Sequence, residues 1–146
     1  MFVVLRITNV FVMKKYLLLL FIGLTAITGM AQTMADRCVE VIYFHGKRRC
    51  TTCMAIEQYA REVVDKTFAH EKKKGEVRFK VMDTSTAKGK RLAKDYHVTW
   101  SSLYVNDVTN GKEKRHDMTA FAFKHARNNT AAFKKGLSDK IRGLLK

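Results

Sequence analysis

Two cysteines separated by two threonines, Cys50-Thr51-Thr52-Cys53, are the residues of this chain best suited to covalent chemistry. Thiols at this spacing can interconvert with a disulfide, and a cysteine that begins a helix gains thiolate character from the free N–H groups and the helix dipole. Three cations directly precede the motif: Lys47, Arg48 and Arg49. We therefore expect a lowered pKa at Cys50, nucleophilic attack by this residue, and release of the mixed disulfide by Cys53.

The same cysteines permit two other interpretations. A Cys50–Cys53 disulfide can simply join a loop to a helix, and a metal site would add Cys38 or His45 to the pair. Because the chain has a single Cys-x-x-Cys and no second ligand pair at zinc-finger spacing, we predict no metal and no cofactor besides the redox-active disulfide. Cys38 is then a free, partly buried thiol or a site of intermolecular pairing. His45 either contacts the thiolate or forms a hydrogen-bonded strand end.

A buried strand and an amphipathic helix flank the motif. Residues 39–45 are mostly β-branched and aromatic, which predicts a central strand. From Thr51 onward the apolar residues fall at helical spacing, and this helix is expected to end near residues 72–75. Its buried face is predicted to comprise Cys53, Ile56, Ala60, Val63, Val64 and Thr67.

Further strands and helices follow, and together with the first strand and helix they predict the order β-α-β-α-β-β-α. The strands are expected at 77–82, 100–105 and 113–116, and the helices at about 84–96, 119–127 and 130–145. Asp83-Thr84-Ser85 and Asn129-Thr130 are helix-capping sequences, and Asn110-Gly111 is a hairpin turn because both residues accept positive φ.

Two stretches resemble known proteins: 43–53, Tyr-Phe-His-Gly-Lys-Arg-Arg-Cys-Thr-Thr-Cys, and 96–103, Tyr-His-Val-Thr-Trp-Ser-Ser-Leu. They are similar to the thioredoxin-like superfamily, and more narrowly to an exported bacterial family labelled as a nitrophenyl-compound nitroreductase subunit. The resemblance spans about 39–145. It implies an α/β thioredoxin-like fold with a central mixed four-stranded sheet flanked by helices. It also implies a thiol–disulfide oxidoreductase or electron-transfer partner that acts on a protein disulfide or dithiol. The sequence offers nothing to bind flavin or nicotinamide, so we predict no nitroreduction by this chain alone.

Three positions depart from the thioredoxin pattern. Ser102, or else Ser101, stands where thioredoxins place a cis-proline beside the disulfide. Phe44 stands where many keep a buried carboxylate under the resolving cysteine, and Arg49 replaces the usual aromatic residue. Trp100 is expected to pack beside the active site or to offer an apolar contact to a substrate. These departures keep open an alternative function, a non-catalytic accessory subunit whose disulfide is structural.

Residues 1–31 are predicted to be an N-terminal extension and a secretory signal peptide, with Met13 as the natural start. Lys14-Lys15 precedes an apolar run that starts at Tyr16 and ends in small residues near Ala31. Cleavage there leaves residues 32–146 as one thioredoxin-like domain that is periplasmic or secreted. The alternative is an uncleaved segment that anchors the domain in a membrane.

The predicted exported part is strongly basic. Without the three cations of 1–31 it carries 25 Lys+Arg and 13 Asp+Glu, a formal net charge of +12. The basic residues are spread over several elements without aromatic interleaving or a groove-binding motif, which argues against nucleic acid as a partner. Solubility and attraction to anionic lipid or to an acidic protein are the expected consequences.

Overall fold

The computed structural model describes residues 37–146. The predicted signal peptide or anchor at 1–31 lies outside the described residues, as does the start of the predicted mature chain. Within 37–146, no helix combines the length and the apolar character that crossing a membrane requires.

The domain is built on a mixed four-stranded sheet in the order β2-β1-β3-β4. The strands are β1 (Arg37–His45), β2 (Val77–Asp83), β3 (Ser102–Thr109) and β4 (Lys112–Lys114). β1 is almost entirely buried, pairs in parallel with β2 and pairs antiparallel with β3, as expected for a central strand. The α/β class and the helix-flanked mixed sheet predicted from the sequence are confirmed. β3 begins two residues later than predicted and extends to the turn, where Asn110 and Gly111 both have positive φ.

Helices cover both faces of the sheet. They are α1 (Thr51–Glu62), α2 (Ala69–Lys74), α3 (Ala87–Asp95), α4 (Thr119–His125) and α5 (Thr130–Leu145), and a π-helical segment, Val63–Thr67, joins α1 to α2. The main core lies between one face of the sheet and α1, α4 and α5. A smaller core on the other face packs Ile42 and Phe44 of β1 against Ala93 and Tyr96 at the end of α3.

Two details of the helices differ from the sequence prediction. The π turn accommodates one extra residue, so Thr67 is exposed and Phe68 takes the buried position, with only 2% of its surface accessible. The N-cap of α3 is Thr86, whose Oγ1 accepts the N–H of Gly89 at 3.0 Å, while Asp83 accepts the N–H of Ser85. Asn129 caps α5 as predicted, through the N–H of Ala132.

Candidate active site

Cys50 is the N-cap of α1 and Cys53 lies one turn inside the helix. Cys50 has extended backbone, and its Sγ accepts the N–H of Cys53 at 3.0 Å. The two residues form a disulfide with their Cα atoms 5.0 Å apart. Cys50 is exposed, whereas Cys53 retains only 6% of its accessible surface. An approaching molecule therefore meets the sulfur of Cys50, at the positive end of the helix dipole.

The three basic residues before the motif adopt two different roles. Lys47 and Arg48 are exposed in the loop that leaves β1. Arg49 turns inward and forms an ion pair with Glu57, and its guanidinium lies 5.9 Å from the ring centroid of Tyr43. Burial raises the pKa of Glu57, but hydrogen bonds from Arg61 and Arg49 outweigh burial and leave the pKa below its ordinary value. The positive charge available to a partner at this site thus comes from Lys47 and Arg48.

Tyr43, not Phe44, lies beneath the motif. Its hydroxyl donates to the carbonyl of Cys53 at 2.8 Å in a fully buried position. Burial raises the pKa of Tyr43, and hydrogen bonds with Ser101 and Arg49 oppose this effect. Phe44 points to the other face of the sheet, where its ring is 5.2 Å from that of Tyr96. The expectation that Phe44 occupies the place under Cys53 is wrong. Side chains alternate along β1, and Tyr43 packs in the core with Ile56 of α1 while Phe44 packs on the opposite face.

The segment before β3 reaches the same end of the sheet. Ser101 is buried and approaches the motif through Tyr43, while the hydroxyl of Ser102 donates to the carbonyl of Trp100 at 3.1 Å. Ser102 pairs with Phe44 across the sheet, so Trp100 and Ser101 lie beside the end of β1. The indole of Trp100 stacks on Phe123 with centroids 4.9 Å apart and keeps 59% of its surface exposed.

His45 and Cys38 lie at opposite ends of β1. The Nδ1 of His45 is 3.0 Å from the carbonyl of Gly46, and the His45 carbonyl accepts the N–H of Thr84 at 2.8 Å. Cys38 is a buried free thiol opposite Val108, and burial raises its pKa. Among residues 37–146, no group of three or more His, Cys, Asp or Glu side chains is placed to hold a metal ion.

Sequence reasoning missed three residues of this site. Tyr43 and Glu57 hold Arg49, and Met54, whose N–H donates to the Cys50 carbonyl at 3.0 Å, is half exposed beside the disulfide. The exposure of Met54 could have been predicted from the sequence. This apolar residue directly follows Cys53, at a helix position outside the predicted buried face. The Arg49–Glu57 pair has no local sequence signal because it joins a loop to a helix.

Comparison of the chain with models of known protein families, with curated proteins and with solved structures gives no match.

Proposed function

We propose that this domain is a thioredoxin-like thiol–disulfide oxidoreductase or electron-transfer partner that exchanges electrons with a protein dithiol or disulfide. The observation that carries the proposal is the asymmetry of the pair: Cys50 is exposed at the N-cap of α1, and Cys53 is buried one turn further on. The sheet order, with β1 parallel to β2 and antiparallel to β3, supports the thioredoxin-like assignment. We also propose membership of the exported family named above, on the two stretches that resemble it.

The chemistry needs only these two thiols and those of the partner. The Cys50 thiolate attacks one sulfur of the partner disulfide, a bond forms between them, and the second partner sulfur leaves as a thiolate. Deprotonated Cys53 then attacks Cys50, which closes the Cys50–Cys53 disulfide and releases the partner as a dithiol. Two electrons pass to the partner, and the reverse sequence oxidises a partner dithiol.

The second candidate is a non-catalytic accessory subunit with a structural disulfide. It is favoured by Ser102, which stands where the resemblance would place a substrate-contacting proline. The two functions differ in whether the cysteines are chemically equivalent, since a structural bridge loses the same cross-link whichever thiol is removed.

Trapping of the covalent intermediate separates these functions. In a Cys38→Ala background expressed in the native host, Cys53→Ser should accumulate reducible high-mass adducts through Cys50, and Cys50→Ser should give far fewer. A structural bridge predicts no selective adducts and an equal loss of stability, at most about 2–4 kcal/mol, in both variants. Export is tested separately, because processing predicts a protein mass that begins near Gln32 and an anchor predicts the uncleaved chain in membranes.

A further inference from the structure

The exposed apolar surface of the domain is concentrated at the redox site. Among the large hydrophobic side chains of residues 37–146, those that are exposed are Met54, at 50%, and Trp100, at 59%. Met54 follows Cys53 directly. Trp100 accepts a hydrogen bond from Ser102, and Ser102 pairs with Phe44 at the end of β1 that leads into the motif. Exposed apolar side chains gathered around one reactive group are typical of an interaction surface.

Unpaired positive charge lies at the same end. Lys47 and Arg48 are exposed, and neither forms a salt bridge within the described part of the chain. Most acidic residues are paired elsewhere, as with Glu62, which binds two lysines, and Glu113, which binds Arg115. Asp83 lies at the same end of the sheet, where it pairs with His45 and accepts the N–H of Ser85, and Lys47 helps to lower its pKa without forming a salt bridge with it in residues 37–146.

Helix α3 begins at the same end of the sheet and carries further positive charge. It starts beside the loop, because the N–H of Thr84 donates to the His45 carbonyl at 2.8 Å just before the helix begins. Four exposed cations of α3 form no salt bridge within 37–146: Lys88, Lys90, Arg91 and Lys94. Charge that no internal acid neutralises attracts an acidic partner and accelerates its association.

We propose that this end of the domain docks an acidic protein segment that carries an apolar side chain next to its reactive cysteine. Lys47 and Arg48 contact its carboxylates, the cations of α3 add long-range attraction, and Met54 and Trp100 contact its apolar side chain. The inference rests on the proposed function, since it names the class of partner that Cys50 attacks. Charge and apolar surface together favour a protein segment, because a purely electrostatic surface needs neither an exposed methionine nor an exposed tryptophan.

Rates of mixed-disulfide formation test this inference. The reduced Cys38→Ala, Cys53→Ser protein is mixed with three peptides. Each peptide has one cysteine, which is joined by a disulfide bond to the same chromophoric thiol. One peptide is acidic with leucine beside cysteine, one has the acids replaced by amides, and one has the leucine replaced by serine. The acidic peptide should react on the order of tenfold faster than the amide peptide at low salt, and this ratio should fall towards one at about 1 M salt. The leucine peptide should outpace the serine peptide.

Charge reversal at the loop provides the matched comparison. Lys47→Glu with Arg48→Glu should abolish the acidic preference, while Lys73→Glu with Lys112→Glu, which removes the same charge from the far end of the sheet, should retain most of it. For each protein variant, the rate with a peptide is divided by the rate with a disulfide of mercaptoethanol and the same chromophoric thiol. This ratio cancels changes in the thiolate fraction of Cys50.

The contradicting results are distinct. Equal normalised rates for all three peptides would overturn the docking inference and leave the redox function intact. Failure of Cys50 to react even with the mercaptoethanol disulfide would overturn both. If the loop variant loses binding to phosphatidylglycerol vesicles while its peptide ratios stay unchanged, the surface recognises lipid and the inference is wrong.

Discussion

The hydroxyl of Tyr43 joins three parts of the site that are far apart in the sequence. It donates to the Cys53 carbonyl of α1 at 2.8 Å, the Arg49 guanidinium from the loop lies 5.9 Å from the Tyr43 ring centroid, and Ser101 from the segment before β3 lowers the pKa of Tyr43 against the effect of burial. Because the Cys53 carbonyl is buried, it would lose this partner without regaining water if the hydroxyl were removed. Tyr43 therefore positions the resolving cysteine without touching a substrate.

Tyr43→Phe should lower the free energy of unfolding by about 1–2 kcal/mol in urea titrations. The control is Tyr59→Phe in α1, where Lys134 lies 4.9 Å from the ring centroid and the hydroxyl makes no hydrogen bond within residues 37–146. The control should change stability by less than about 0.5 kcal/mol. An equal loss of unfolding free energy in the two variants would show that the Tyr43 hydroxyl does not have this positioning role.

The ion pair between Arg49 and Glu57 gives the site a dependence on pH. The pKa of Glu57 is lowered in the folded protein, so its contribution is fully present above the ordinary value of 4.5 and is lost as the pH falls through the folded value. Glu57→Gln should therefore cost about 1 kcal/mol at pH 7 and progressively less below pH 4.5. Glu71→Gln, at a site without a salt bridge in the described residues, should show no such trend. If Glu57→Gln lowers the free energy of unfolding by the same amount at acidic pH as at pH 7, the ion pair with Arg49 is not the source of this stability.

At the scale of elements, Gly89 fixes the approach of α3 to the end of β2. A Cβ at this position would collide with the backbone carbonyl of Asp83, whereas a Cβ at Gly143 in α5 would meet nothing within 4 Å. Alanine normally favours a helix over glycine by about 1 kcal/mol, so the two positions should respond in opposite directions.

Gly89→Ala should destabilise the domain by about 2 kcal/mol or more, because backbone must move to relieve the collision. Gly143→Ala should be neutral or stabilising by up to about 1 kcal/mol. Thermal unfolding of both variants measures the difference. A stabilised Gly89→Ala protein would show that α3 does not need this close contact.

The sequence predicted most helices and strands, but at two places it did not predict which residue faces the core next to α1. Helical spacing predicted the buried face correctly as far as Val64. It cannot reveal a π turn, because one extra residue changes the buried position from Thr67 to Phe68 only when tertiary packing favours it. Similarly, β1 is buried on both faces, so no alternation of polar and apolar residues shows whether Tyr43 or Phe44 faces α1.

At the scale of the whole molecule, the sheet brings the site together. Pairing of Phe44 with Ser102, and of His45 with Asp83, places the segment before β3 and the start of α3 beside the loop of the motif. The motif itself was visible in the sequence because its chemistry depends on a local spacing of two residues. The contacts of Ser101 and Arg49 were not visible in the sequence. The place of Ser101 depends on strand register, and that of Arg49 depends on an acidic side chain of α1.

The Cys50–Cys53 pair is proposed to cycle between disulfide and dithiol, and its reduction potential tests this function most directly. With Cys50 exposed at a helix N-terminus beside Lys47 and Arg48, thiolate stabilisation favours the reduced form. Equilibration of the Cys38→Ala protein with thiol–disulfide buffers should give a potential between about −120 and −270 mV, the range of catalytic pairs. A value below about −300 mV, typical of structural disulfides, would contradict the account.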